Sequence, residues 1–489
     1  METDQQFRDL MSGDDSSELE MVPGDFSYQG ESVWDTQSPE WIEAAYDFSD
    51  GYRDFLDRAK TEREFVREAI KILEAAGFQE LEDRSVLKPG DRVYESIHGK
   101  GLMAAIIGED SAYEGFNLLG AHVDSPRIDL KPNPLYEQNG LGYFSTHYYG
   151  GIKKYQWSTI PLALHGVIHT QDGQRVEVCI GEDESDPIFT ITDLLPHLAA
   201  KQMQKSAATV IEGEELRLLI SSTPDASAKG KQAIKTYLLK LLNAKYGIVE
   251  EDFFAAELEI VPAFKARDLG FDRSMIAAYG HDDRVCAYCS LMALVGIEGC
   301  PERTAVCMLS DKEEVGSAGN TGAQSRLYEN FLLALIDLST QEEFSELRYR
   351  RALAKSMMLS TDVSNAYDPV FASVSDLRNN SQFAHGSAFL KYTGVRGKSG
   401  ASEANAEFVA RVFQLMREAK LPYQIAELGR VDVGGGGTIC QLLANWGMEV
   451  LDAGVPVLSM HSPLEICHKL DVYAAYLSYQ TFLTRMRLA

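Results

Sequence analysis

Apolar and polar residues follow two rhythms along the chain. In TEREFVREAIKILEAAGF (61–78), Phe65, Ala69, Ile72 and Leu73 recur at helical spacing, Thr61 and Glu64 form a capping-box pair, and Gly77 supplies a stop. The spacing predicts a helix there. Short apolar runs of strand length are GLMAAIIG (101–108), FNLLGAHVD (116–124), SMIAAYG (274–280), TAVCMLS (304–310), SMMLSTD (356–362) and GVPVLSM (454–460). Helical stretches such as RVCAYCSLMALVG (284–296) and ANAEFVARVFQLMREAK (404–420) separate the later runs. Strands alternating with helices predict an α/β fold with a mainly parallel sheet and helices on its faces.

Residues 128–255 read differently. TIPLALHGVIHTQDGQRVEVCIG (159–181) is strand, turn and strand, with QDGQ as hairpin chemistry, and the polar STPDASAKGKQAIKT (222–236) follows. This predicts a smaller β-rich domain inserted into the α/β one, dividing the chain into 1–127, 128–255 and 256–489. The 489 residues are too many for one small core, which agrees with two domains.

Charge adds a further division. The net charge is −27, and residues 1–50 alone hold 14 Asp and Glu against one Arg. Much of that acidic extension, with scattered Gly, Ser and Pro, reads as mobile or draped over a partner. Such acidity argues against nucleic acid or anionic membrane as partners. No apolar run reaches the roughly 18–20 residues of a bilayer span, and the acidic start METDQQFRDLMSGDD is unlike a signal peptide. A cytoplasmic location is expected. Seven cysteines without regular spacing fit a reducing compartment, and the single CxxC, Cys286 to Cys289, reads as buried thiols on a helix.

The ends of the apolar runs carry the candidate chemistry. They deliver His122 and Asp124, His281 with Asp282 and Asp283, the pair Glu313 and Glu314, Asp362, and His461. In an open α/β sheet, sites form beyond the carboxyl ends of the strands, so five such ends would converge on one edge. Imidazoles and carboxylates together suit two zinc-like ions, one carboxylate bridging both. Two metals about 3.5–4 Å apart share and acidify a water and polarise a carbonyl. A further carboxylate must then carry the proton to the leaving amine. Adjacent glutamates fit that division of labour, one on metal and one as general base. Two other motifs carry nothing: GVRGKSG (394–400) has Tyr392 where a P-loop needs its first glycine, and VGGGGTI (433–439) has Ile439 where GxGxxG needs its last.

GAHVDSPRIDLKP, HDDR, DKEEVGSAGNTGAQS, STDVSNAYDP and MHSPLE together resemble the M18 metallo-aminopeptidases, in order from about residue 115 to 465. The resemblance implies His122 and Asp362 as ligands of one ion, Glu314 and His461 of the other, and Asp282 shared, with Asp283 the alternative bridge. It implies Glu313 as general base and Asp124 as the carboxylate orienting His122. It further implies two zinc ions (manganese or cobalt also suit the ligands), peptide substrates with a free N-terminus, and attack by a metal-bridged hydroxide. The inserted domain would serve dimerisation, and dimers would assemble into a tetrahedral dodecamer. LLPHLAAK (194–201) resembles a segment that reaches a neighbouring subunit's site, with His197 matching a family histidine and Lys201 standing where another is expected. For specificity, Asn365 replaces the histidine of the acidic-selective branch, Lys391 is retained, and the loop with Lys398 resembles the branch accepting neutral residues. Two other readings remain at this point: a carboxypeptidase or deacylase using the same metals, and an inactive scaffold on a peptidase fold.

Overall fold

The computed structural model describes residues 30–228, 232–340 and 344–488. Among them, a nine-stranded mixed sheet forms the centre. Its middle three strands, Thr304–Ser310, Phe116–His122 and Met357–Ser360, lie side by side and parallel. All three are buried on both faces, as their continuous apolar runs require. Leu119, Leu309 and Leu359 face one core with the helices His281–Val295 and Lys469–Arg485, while Leu118, Met308 and Met358 face another with the helix Arg326–Ser339. The sheet is thus a wall between two apolar layers, and its strand ends are held rigidly.

Strands between Arg127 and Pro262 build a second, seven-stranded sheet in which every pairing is antiparallel. The hairpin across QDGQ joins Leu162–His169 to Arg175–Ile180, with Gly173 in the left-handed region. Ala233–Tyr246 is a helix whose first four residues are the last four of the polar stretch 222–236; residues 229–231 of that stretch lie outside the described residues.

Two expectations need correction. Met275–Ala278 and Pro456–Leu458 are not in the large sheet; with Arg267–Leu269, Glu465–His468 and Ser364–Asn365 they make a separate five-stranded one. Runs of three and four apolar residues show that a strand exists, and its partners come from distant chain. Nor is the whole acidic segment mobile. Pro39–Leu56 is a helix, capped by Ser38, that buries Ala45, Ser49, Tyr52, Phe55 and Leu56 at helical spacing while its charges face outward. Residues 1–29 of that reading lie outside the described residues.

Candidate metal centre

Three strands of the large sheet and two of the small one bring their ends together. His122 closes its strand and Asp362 lies two residues beyond Ser360. Glu313 and Glu314 open a short 3-10 turn after Thr304–Ser310, entered through Lys312 at φ 66°. Asp282 lies in non-helical backbone at the head of the helix His281–Val295 that follows Met275–Ala278, joined to Asp283 by a cis peptide bond, and His461 follows Pro456–Leu458 at φ 65°. Lys312 and His461 thus hold left-handed backbone, at a cost of about 1–3 kcal/mol each, where glycine would be unstrained.

Asp282 is the centre of the cluster. Its Oδ1 lies 3.2 Å from His122 Nε2 and its Oδ2 lies 3.1 Å from His461 Nε2. Around this axis, Asp362 Oδ1 and Glu313 Oε2 are 3.9 and 4.0 Å from His122 Nε2, and Glu314 Oε2 is 3.5 Å from His461 Nε2. Asp283 is fully buried behind them, its Oδ2 accepting the His122 backbone N–H at 3.4 Å.

A ring of fixed partners aims these groups. Asp124 accepts the Glu313 N–H at 3.1 Å, the Glu314 N–H at 3.2 Å and the Tyr149 hydroxyl at 2.8 Å, and it faces His122 Nδ1 at 3.2 Å. Glu465 accepts the Asp282 N–H at 3.0 Å and the His461 N–H at 2.6 Å. The Ser125 hydroxyl donates to the Asp282 carbonyl at 2.6 Å.

The tautomers follow from the surroundings. His122 Nδ1 lies 2.9 Å from the Asp124 carbonyl and His461 Nδ1 lies 3.0 Å from the Gly151 carbonyl, so both Nδ1 atoms carry hydrogen. Each neutral ring then turns a lone pair on Nε2 toward carboxylate oxygens, which only accept. A proton, which makes each ring cationic, or a metal ion must lie between them. Burial alone would lower the pKa of both rings, but Asp124 and Asp282 hold His122 well above the usual range, and Asp282 raises His461 to about 10. Burial, reinforced by the Asp124 and Asp282 charges, pushes Glu313 up to about 7; burial with Asp282 and with Asp283, respectively, raises Glu314 and Asp362 well above normal. Two buried oxygens, Asp283 Oδ1 and Glu314 Oε1, have no hydrogen-bond partner. A divalent cation would answer the excess negative charge and occupy the unused lone pairs.

Residues 55–483 match the family model described as aminopeptidase I zinc metalloprotease (M18). A relative from Clostridium acetobutylicum, named "Probable M18 family aminopeptidase 1", is 48% identical, with 94% of this chain and 100% of that protein covered. The crystal structure of a Thermotoga maritima M18 aminopeptidase superposes with a TM-score of 0.90 at 43% identity, over 94% of this chain and 100% of that one. The structure of the Saccharomyces cerevisiae mApe1 dodecamer shares the fold, with a TM-score of 0.72 at 21% identity over 91% and 97%.

The chain belongs to the M18 family of zinc metallo-aminopeptidases.

In this M18 aminopeptidase the donor set fits zinc: imidazole nitrogens with their far sides anchored, and carboxylate oxygens otherwise uncompensated. The geometry brings together His122, Asp124, Asp282, Glu313, Glu314, Asp362 and His461. Asn365 lines an adjoining cleft of about 620 Å³ that includes His461, Phe371, Leu458 and Met460. Lys391 and Lys398 are outside that lining; they share Glu403 at 3.5 and 3.1 Å. His197 is exposed on a 3-10 turn of the loop between two strands of the second sheet. Sequence reasoning assigned no role to Tyr149, Ser125 or Glu465. Of these, Glu465 sits in the MHSPLE motif, four residues after His461, and was the one open to discovery.

Proposed function

We propose that this M18 aminopeptidase binds two zinc ions, one held by His122, Asp282 and Asp362 and the other by Asp282, Glu314 and His461. The observation that carries the reading is the position of Asp282, whose two oxygens face the two imidazoles at 3.2 and 3.1 Å. Bound zinc supplies Lewis acidity, polarising the scissile carbonyl and acidifying water. Glu313 is the proton carrier: its carboxylate takes a proton from the attacking water and delivers it to the departing amine, so hydrolysis leaves a free amino acid and a shortened peptide. Asp124 acts through others, fixing the His122 ring and the backbone of both glutamates.

The N-terminal side chain of the peptide is assigned to the cleft beside His461. Its wall combines Phe371, Val374, Leu458 and Met460 with Asn365, Lys153 and Asp368. Since Lys391 and Lys398 lie outside this wall, and its one lysine is accompanied by one aspartate, the assignment favours neutral over acidic residues. The exposed Leu194, Leu195, Leu198 and Met203, at 52, 50, 69 and 76% exposure beside His197, form an apolar loop suited to a neighbouring subunit. It supports homo-oligomers; dimers assembling into a tetrahedral dodecamer are the proposed form, and the mApe1 structure is a dodecamer. No described helix is long and apolar enough to cross a membrane, and the seven cysteines are unpaired; a reducing cytoplasm is the proposed location.

Chelation and metal return test the reading, with Leu, Asp, Glu and Lys anilides and one N-acetylated control. Hydrolysis of free-amine substrates alone, lost on chelation and restored by zinc, is expected, with Leu ahead of Asp and Glu. Relative to wild type, Asp282→Asn should lose two equivalents of zinc. Hydrolysis that survives complete metal removal would sink the mechanism, and a loss of one equivalent would remove the bridge.

A further inference from the structure

A second group of ligand-type side chains lies where a helix meets the seven-stranded sheet. His165 and Cys179 stand directly opposite each other on the paired strands Leu162–His169 and Arg175–Ile180, so both project from one face. Glu64 reaches them from the first turn of the helix Glu62–Ala75. One ligand atom from each of Glu64, His165 and Cys179 lies within 4.8 Å of the others. His165 is 2% exposed, yet both ring nitrogens face carboxylates: Nδ1 is 2.8 Å from Glu64 Oε1 and Nε2 is 3.1 Å from Glu182 Oε1.

We propose that Glu64, His165 and Cys179 form a further divalent-metal site, chemically distinct from the carboxylate-rich centre. Nitrogen, sulfur and oxygen donors are the set that zinc accepts, and three of them leave one position to water from the adjoining cleft of about 420 Å³. A tetrahedral ion with bonds of about 2.0–2.3 Å sets its ligand atoms roughly 3.3–3.6 Å apart. The Nδ1–Oε1 distance of 2.8 Å therefore needs to open by only a side-chain adjustment. Glu182 completes the design: it holds the far nitrogen of His165, as carboxylates behind metal-bound histidines do. Its own charge is met by Lys60, whose Nζ is 2.7 Å away and also donates to the Pro262 and Phe264 carbonyls.

With protons aboard, Glu64 and Glu182 face the His165 imidazolium and the ammoniums of Lys60 and, at 3.2 Å, Lys265, beside a neutral thiol. Binding one divalent ion releases the Nδ1 proton and the thiol proton, so the net charge of the cluster is unchanged while an N–H···O contact becomes two bonds to metal. The ion would tie the helix Glu62–Ala75 to the hairpin of the second sheet.

Cobalt separates this site from the other, because no cysteine is among the clustered side chains around Asp282 in the described residues. The full-length protein is stripped and reloaded with cobalt or zinc, as wild type and as Cys179→Ser, which changes one exposed atom. Wild type should hold one equivalent more than the variant and show sulfur-to-cobalt charge-transfer absorption that the variant lacks. Peptide hydrolysis should persist in both. Zinc should also slow alkylation of Cys179 in wild type at least tenfold. Equal metal content in the two proteins, or a sulfur–cobalt band that is absent from wild type or retained in the variant, overturns the site. So does alkylation at an unchanged rate, and none of these results touches the Asp282 reading.

Discussion

Asp124 shows how a single side chain organises the centre. It is fully buried, which would raise its pKa, but His122, the Tyr149 hydroxyl and nearby Arg127 keep it ionised below the usual range. Asp124→Asn would replace one acceptor oxygen with a donor, which faces the Glu313 N–H in one orientation and the Glu314 N–H in the other. Zinc affinity should fall about 10–100-fold, read by competition with a chelator; unchanged affinity would confine Asp124 to a packing role. Glu313→Gln addresses a different function. Zinc content should hold while kcat falls by about 10²–10⁴; loss of zinc along with kcat would make Glu313 a ligand. At this scale the seven clustered residues were legible because each follows an apolar run closely. Tyr149 and Ser125 were not, since they act on a neighbour's carboxylate or carbonyl that only the fold brings near.

Elements set how accurately those residues are aimed. Gly454 ends the strand Glu449–Gly454 against Asp362, where an added Cβ would stand 1.8 Å from the Asp362 carbonyl oxygen. Backbone cannot yield as a flexible side chain does, so Gly454→Ala should displace the Asp362 segment. Expected outcomes are a lower melting temperature and weaker zinc binding; a melting temperature and zinc affinity equal to wild type would show that the strands slide freely. The last helix, Lys469–Arg485, carries a pH dependence at its start. His468 Nδ1 accepts the Leu470 N–H at 3.2 Å, and burial lowers its pKa to about 4. As pH falls, the unfolded chain therefore takes the proton first. The stability from neutral His468 is present above about 6.5, the ordinary histidine value, and is lost toward pH 4. His468→Asn keeps a capping acceptor without titrating there. Its melting temperature should drop less than that of wild type between pH 7 and 4.5, and an equal drop would exonerate His468. Helices with marked caps, such as Glu62–Ala75, were readable from sequence, and the three central strands by their unbroken apolar runs. Membership of the five-stranded sheet was not, because pairs such as Met275–Ala278 with Glu465–His468 join segments almost two hundred positions apart.

For the whole molecule, the apolar loop from Leu194 to Met203 is the feature that calls for a neighbour. Leu195→Asp with Leu198→Asp leaves both core packing and zinc ligands untouched. Light scattering should show a smaller particle, while a particle of wild-type size would move the contact elsewhere. The antiparallel sheet was visible in the hairpin pattern of 159–181, whereas the ordered helix Pro39–Leu56 was hidden by its own charge.

Asp282 and His461 come from the small sheet; His122, Glu313, Glu314 and Asp362 come from the large one. Under the proposed metal binding the cluster is also a rivet between the sheets, and the metal's binding free energy adds to the fastening. Loaded protein should melt in one calorimetric transition, with a midpoint that climbs with free zinc as mass action requires. Stripped protein loses the rivet and should melt at a lower midpoint, its sheets still joined by the core that Ile276, Ala278, Val457 and Cys467 share with Leu119, Leu309 and Leu359.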